Sequence, residues 1–181
     1  MHPEVDLLDQ IVVMPYDPAW QGDFETEAKR ILHALGNIVV SVHHIGSTAI
    51  PGIFAKPIID ILLEVDNLVQ LDNETGAMQE LSYEAMGEFG IPGRRYFRKN
   101  NHLGVRTHQV HAFQIRNPEI ERHLAFRDYM IAHPMQAQAY GALKRELARE
   151  YPNDSQAYMD GKDEFVKEHE AKALSWRRSR C

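Results

Sequence analysis

At 181 residues, 44% hydrophobic and 25% charged, the chain can bury a sizeable core, and it reads as one domain over 1–181. Its net charge of −6 argues against a general grip on a nucleic-acid backbone, so nucleic acid is not an expected partner. The one cysteine, Cys181, permits no internal disulfide, and such usage suits a reducing, cytoplasmic setting. The first residues lack the basic and apolar regions of a secretory signal, and no apolar run approaches the roughly 20 residues of a membrane helix.

Residues 1–10 read as a loosely held lead-in, and Ile11-Val12-Val13 as an edge strand or extended arm. Asp17-Pro18 opens a helix, since Asp caps free amides and Pro is tolerated in the first turn. Trp20, Phe24, Ala28, Ile31, Leu32 and Leu35 give it one apolar face, and Gly36 ends it. Ile38 to His44 is a strand, followed by a loop of small residues and a second apolar strand around Ile58 to Val65. Asp66 or Asn67 caps a helix reaching about Leu81. A strand is expected from Tyr83 to Phe89, a turn at Gly90 to Gly93, and a hairpin from Arg95–Lys99 and Val105–Ile115. Three helices follow, over about 119–133, 134–150 and 153–174, the last opened by a capping box of Asn153 and Gln156. The order predicts an α+β (mixed α/β) fold: a mixed sheet backed by helices, with a helical C-terminal third.

Chemistry concentrates in residues 43–65. Asp60 interrupts Pro57-Ile58-Ile59-Asp60-Ile61-Leu62-Leu63, and a carboxylate inside an apolar strand needs a physical reason. Two readings stand: a ligand or metal site, or a structural carboxylate paired with an Arg, a His or backbone amides. Gly46-Ser47 turns the chain before it and can offer amides and a hydroxyl to phosphate oxygens, though such turns are common in loops. Lys56 is either a phosphate contact or a solvated lysine. Arg94 and Arg95 follow a Pro-Gly turn and read as an anion site or as basic edge-strand residues that block pairing. Alternation puts Thr107, Gln109, His111 and Phe113 on one face, and sends His43 and His44 opposite ways. His33, His123, His133 and His169 read as ordinary helical residues.

The stretch His44 to Gly52, followed by Lys56-Pro57-Ile58-Ile59-Asp60-Ile61, closely resembles the GrpB family. The likeness continues through Gly90 to Phe97, the Thr107-His108-Gln109-Val110-His111 strand and His123 to Tyr129. That family is grouped with the nucleotidyltransferases, and its domain is also found attached to dephospho-CoA kinases. The resemblance implies a nucleotidyltransferase-like sheet, with Gly46, Ser47 and Lys56 holding phosphates, helped by Arg94 and Arg95. It implies Asp60 as the first metal-binding acid, for Mg or Mn, with His111 as a catalytic partner. Leu62 stands where the superfamily has its second acid, His111 is the nearest substitute for the third, and Gln109 replaces a His frequent in the family. The expected ligand is a nucleotide or other phosphorylated small molecule. Either a metal-dependent transferase or a catalytically lapsed module, CoA-related among the options, fits these residues.

Overall fold

The computed structural model describes residues 10–181, so the expected lead-in, apart from Gln10, lies outside the described residues. An extended arm comes first. Met14 exchanges backbone hydrogen bonds of 2.9 Å with Ala55, and the Ile11 amide donates to the Pro152 carbonyl at 2.8 Å. Helix α1 (Ala19–Leu35) starts where Asp17 Oδ1 accepts from the Ala19 amide at 2.9 Å, and it stops at Gly36, whose φ is 56°.

Strand β1 (Val39–Ile45) runs antiparallel to β2 (Ile59–Val65), joined by the loop that carries Gly46 to Ile58. Two short helices follow, α2 (Leu68–Asn73) and α3 (Thr75–Glu80), where a single helix was expected. Asn67 caps the first through the Val69 and Gln70 amides, and polar Asn73 to Gly76 supplies no apolar stripe across the break. The strand expected at Tyr83–Phe89 shrinks to β3 (Glu84–Ala85), because Ser82, Gly87, Phe89 and Gly90 all take positive φ and bend the chain out of the sheet. The hairpin is present as β4 (Arg94–Asn100) and β5 (Arg106–Gln114).

Among the described residues the sheet order is β1-β2-β5-β4-β3, with β2 and β5 parallel and the other pairs antiparallel. The last third is helical: α4 (Pro118–Ala132), α5 (Pro134–Glu150) and α6 (Ser155–Arg178). Asp154, not Asn153, caps α6, accepting from the Ala157 amide at 3.0 Å.

Register decides what each face of the sheet carries. Ile59, Ile61, Leu63, Val65, Val110, Ala112 and Phe97 pack beneath Trp20, Ile31 and Leu35 of α1, Leu71 of α2 and Met78 of α3. The opposite face carries Leu62 and Phe113, closed by Ile120 and Leu124 of α4. Loop residues Ile50 and Ile53 are buried among α4, α5 and α6, in the cluster of Ala125, Met130 and Ala137. Each such isoleucine contributes about 1.5–3 kcal/mol by leaving water, so the loop is anchored to the helices as well as to the strands.

Candidate anion-binding cleft

Alternation along β2 puts Asp60, Leu62 and Glu64 on the face toward the C-terminal helices. Their register partners on β5, Gln109, His111 and Phe113, share it, as do Arg94 and Tyr96 on β4. Only the Asp60 end is open. Leu62 is fully buried with Ile45, Phe113, Ile120 and Leu124, and Glu64 Oε1 lies 2.7 Å from His43 Nε2. Above Asp60 is a cleft of about 600 Å³ lined by Ser47, Lys56, Asp60, Tyr96, Gln109 and His111, with Lys144 of α5 and Lys162 of α6 facing them.

The Gly46 turn is dictated by Asp60. Gly46 has φ 72°, and a Cβ there would lie 2.6 Å from Asp60 Oδ2. A side chain would be strained by the backbone and blocked by the carboxylate. Thr48 holds the loop's two ends together: its hydroxyl donates to the Ile58 carbonyl at 3.1 Å and lies 3.0 Å from His44 Nε2. Phe24 stacks on the His44 ring, with centroids 4.8 Å apart, and burial lowers that imidazole to about 4.

Asp60 is hydrogen-bonded by His111, Nε2 to Oδ1 at 3.1 Å. His111 Nδ1 lies 3.4 Å from Arg94 Nη1, and a guanidinium only donates, which assigns the ring proton to Nε2 and directs it at Asp60. Arg94 is spent on this duty. Its Nε donates to the Glu88 carbonyl at 3.1 Å and its Nη2 to the Phe89 carbonyl at 2.6 Å, so it braces His111 and the preceding turn while bordering the cleft. Arg95 is elsewhere: adjacent strand residues point to opposite faces, and Arg95 forms a bidentate pair with Asp72 at 2.6 and 2.9 Å. The cleft brings together Ser47, Lys56, Asp60, Arg94 and His111, with Gly46 packed under Asp60, and leaves Arg95 out.

Sequence reasoning missed Lys144 and Lys162. Lys144 is 2% exposed, and its Nζ has no hydrogen-bond partner among the described residues; the Tyr140 ring lies 4.3 Å from it. Burial, then the charge of Lys162, lowers its ammonium to about 6, against a partial pull upward from Asp60. Lys56, over the Tyr158 ring at 4.3 Å, is lowered to about 8 by burial and Lys162. Lys162 is lowered by burial too. The missed signal was available: Lys144 sits on the buried stripe of α5, with Ala137, Tyr140, Gly141 and Leu147. His123, expected to be ordinary, lies behind His111 with ring centroids 5.7 Å apart and planes tilted by 36°, and burial drives it to about 3.

The cleft therefore faces three amines toward one carboxylate. That donor set does not fit a resident Mg²⁺ or Mn²⁺. Among the described residues no group of three His, Cys, Asp or Glu converges, and the place of a second acid is the apolar Leu62. Amines around one carboxylate, protonated or not, also offer a divalent cation no ring of oxygen ligands.

Residues 10–172 match the family described as GrpB protein. This chain belongs to the GrpB family. It is 42% identical over 171 residues to the UPF0157 protein YqkA of Bacillus subtilis (strain 168), covering 94% of this chain and 49% of that one, so the chain spans about half the length of that relative. The crystal structure of conserved protein GrpB from Enterococcus faecalis superimposes with a TM-score of 0.88, 44% identity, and coverage of 92% of this chain and 99% of that one. A dephospho-CoA kinase of Mycolicibacterium paratuberculosis (strain ATCC BAA-968 / K-10) is 26% identical over 91% of this chain and 46% of its own. The fold is also that of Cid1, solved in complex with its short product ApU: TM-score 0.52, 11% identity, 75% of this chain and 42% of that one. The α+β fold of this GrpB member, a five-stranded mixed sheet shared with Cid1, is thereby established. No helix among the described residues is long and apolar enough to cross a membrane.

Proposed function

We propose that this cleft binds a nucleotide or another phosphorylated small molecule, in the cytoplasm, through lysines in place of a resident metal. One observation carries the reading: a buried Lys144 whose amine has no partner among the described residues, facing Lys56 and Lys162 across a cleft with one carboxylate. A buried amine without a counter-charge costs stability, and an anion supplied from outside relieves that cost. Phosphate oxygens are suited to this, since each accepts several charge-assisted hydrogen bonds. Ser47 adds a hydroxyl at the mouth.

A second reading, nucleotidyl transfer, is favoured by a separate observation: Asp60, held by His111 against Gly46, occupies the open end of the same face. A CoA-like phosphate ester belongs to the same ligand class, and the relative named dephospho-CoA kinase makes it worth including. Isothermal titration with ATP, GTP, CTP, UTP, dephospho-CoA and inorganic triphosphate, each with and without Mg²⁺ or Mn²⁺, tests both readings. Binding that needs no metal and disappears in Lys144→Met supports the lysine site. Binding seen only with metal, and unaffected by Lys144→Met, rejects it in favour of the metal-dependent reading.

A further inference from the structure

The cleft does not end at Gln109. A second groove of about 350 Å³ opens from it, and the two share Lys56, Ile58, Gln109 and Ser155 in their walls. The outer walls differ in kind from the cleft. On one side is the N-terminal arm with Val12, and on the other the β4–β5 hairpin with Val105. These valines are 53% and 40% exposed, yet neither sits on a loose segment. The arm is tied by Ile11 to Pro152 and by Met14 to Ala55. The hairpin tip is tied by the Asn101 amide to the Val105 carbonyl at 2.8 Å and by the Val105 amide to Asn101 Oδ1 at 3.0 Å.

We propose that this groove is a subsite for the uncharged part of the ligand whose phosphates occupy the cleft, and that this part is a flat heteroaromatic ring such as a nucleobase. The inference rests on the phosphate-binding reading of the cleft. Charge separates the two compartments. The groove's own cation, Arg106, is spent on Asn100 Oδ1 at 2.7 Å and the Tyr96 hydroxyl at 3.3 Å. Lys56 belongs to the junction. Beyond it the groove places apolar Ile11 and Val12 on the arm and Val105 on the hairpin, side chains that can contact the faces of a ring. Gln109 lies at the junction on the Asp60 face, and its carboxamide has no hydrogen-bond partner among the described residues. A carboxamide presents a donor and an acceptor side by side, the pattern needed to read the edge of a base. An aliphatic tail would use the valines and leave Gln109 unpaired; a ring with polar edge atoms uses both.

The test compares inorganic triphosphate with ATP, GTP, CTP and UTP by calorimetry, on the full chain and on Val12→Ser, Val105→Ser and Gln109→Ala. All three substitutions are on exposed or half-buried side chains away from the core, and circular dichroism checks the fold of each. In the parent protein at least one nucleotide binds about tenfold or more tightly than inorganic triphosphate, a difference of about 1.4 kcal/mol. Val12→Ser and Val105→Ser shrink that advantage and leave inorganic triphosphate unchanged, while Gln109→Ala levels the preference among the four bases. Nucleotides that bind no better than inorganic triphosphate, or an advantage untouched by the three substitutions, overturn the subsite and leave the cleft standing. Failure of inorganic triphosphate itself to bind overturns the cleft, and the subsite with it.

Discussion

Two lysines pack against opposite faces of the same sheet, Lys99 half-buried and Lys144 buried, and among the described residues only Lys99 has an answering charge. Lys99, on the α1 side, places Nζ 2.8 Å from Glu27, which is 2% exposed. Burial pushes that carboxyl up, but the hydrogen bond and charge of Lys99 overcome it and hold Glu27 below its ordinary range. Lys144, on the α4–α6 side, has no such partner among the described residues, and the charges acting on it are those of Lys162 and Asp60. A balanced pair around a buried carboxylate is part of the fold. An unbalanced amine beside an open cleft destabilises the free protein and is relieved by a ligand. The contrast teaches where to look for function in this molecule: not wherever charge is buried, but where buried charge fails to close on itself.

The sharpest way to break the comparison is to remove one member from each side. Glu27→Ala leaves Lys99 unpaired and is expected to cost about 3 kcal/mol in urea denaturation, with no change in triphosphate affinity. Lys144→Met is expected to do the reverse. Stability stays level or rises by about 1 kcal/mol, while triphosphate binding is lost. Equal losses of stability from both would dissolve the distinction.

Next in size is the pH dependence. Lys144 has its folded value lowered to about 6, while in the unfolded chain it titrates near the ordinary 10.5. Between those values the unfolded state holds the extra proton, so the contribution of Lys144 to stability rises with pH and is lowest below about 6. Urea midpoints from pH 6 to 9 should rise more steeply in the parent than in Lys144→Met. The same linkage makes triphosphate binding at pH 7.5 take up a proton. Titration in buffers of different ionisation enthalpy reads that uptake, and it should vanish in the Met variant.

Gly46→Ala and Asp60→Asn sharpen the picture at the carboxylate. Alanine at 46 meets Asp60 Oδ2 at 2.6 Å with an unfavourable φ, so it should lower stability by about 1–2 kcal/mol, and Asp60→Asn should not restore it, since the amide is as large. The smallest effect carries the most diagnostic sign. Asp60→Asn removes the one carboxylate facing the amines and should tighten metal-free triphosphate binding about tenfold, ~1.4 kcal/mol. Weakening there would mean that Asp60 acts through a metal ion.

Much of this arrangement was legible in the chain. The Asp in an apolar strand, the Gly-Ser turn and the helical last third are local signals, and each corresponds to a feature of the structure. The two arginines show how a local signal misleads. Arg94 and Arg95 read as one basic pair along the chain, although neighbours on a strand face opposite ways; one braces His111 and the other pairs with Asp72. The long helix expected to reach Leu81 failed for a local reason as well, since residues 73–76 offer nothing to bury.

What the sequence alone determined is the identity of the family and the half of the cleft contained in residues 46–60, where turn, spacing and strand alternation are properties of neighbouring residues. Only the tertiary structure decided the other half. Lys144 and Lys162 lie about a hundred residues further on, and they reach Asp60 because α5 and α6 fold back over the β2–β5 face, clamped there by Ile50 and Ile53. Charge balance is a sum over everything near a point in space. A stretch that carries one lone carboxylate in the sequence thus becomes, in the folded protein, the minority charge of a cationic cleft.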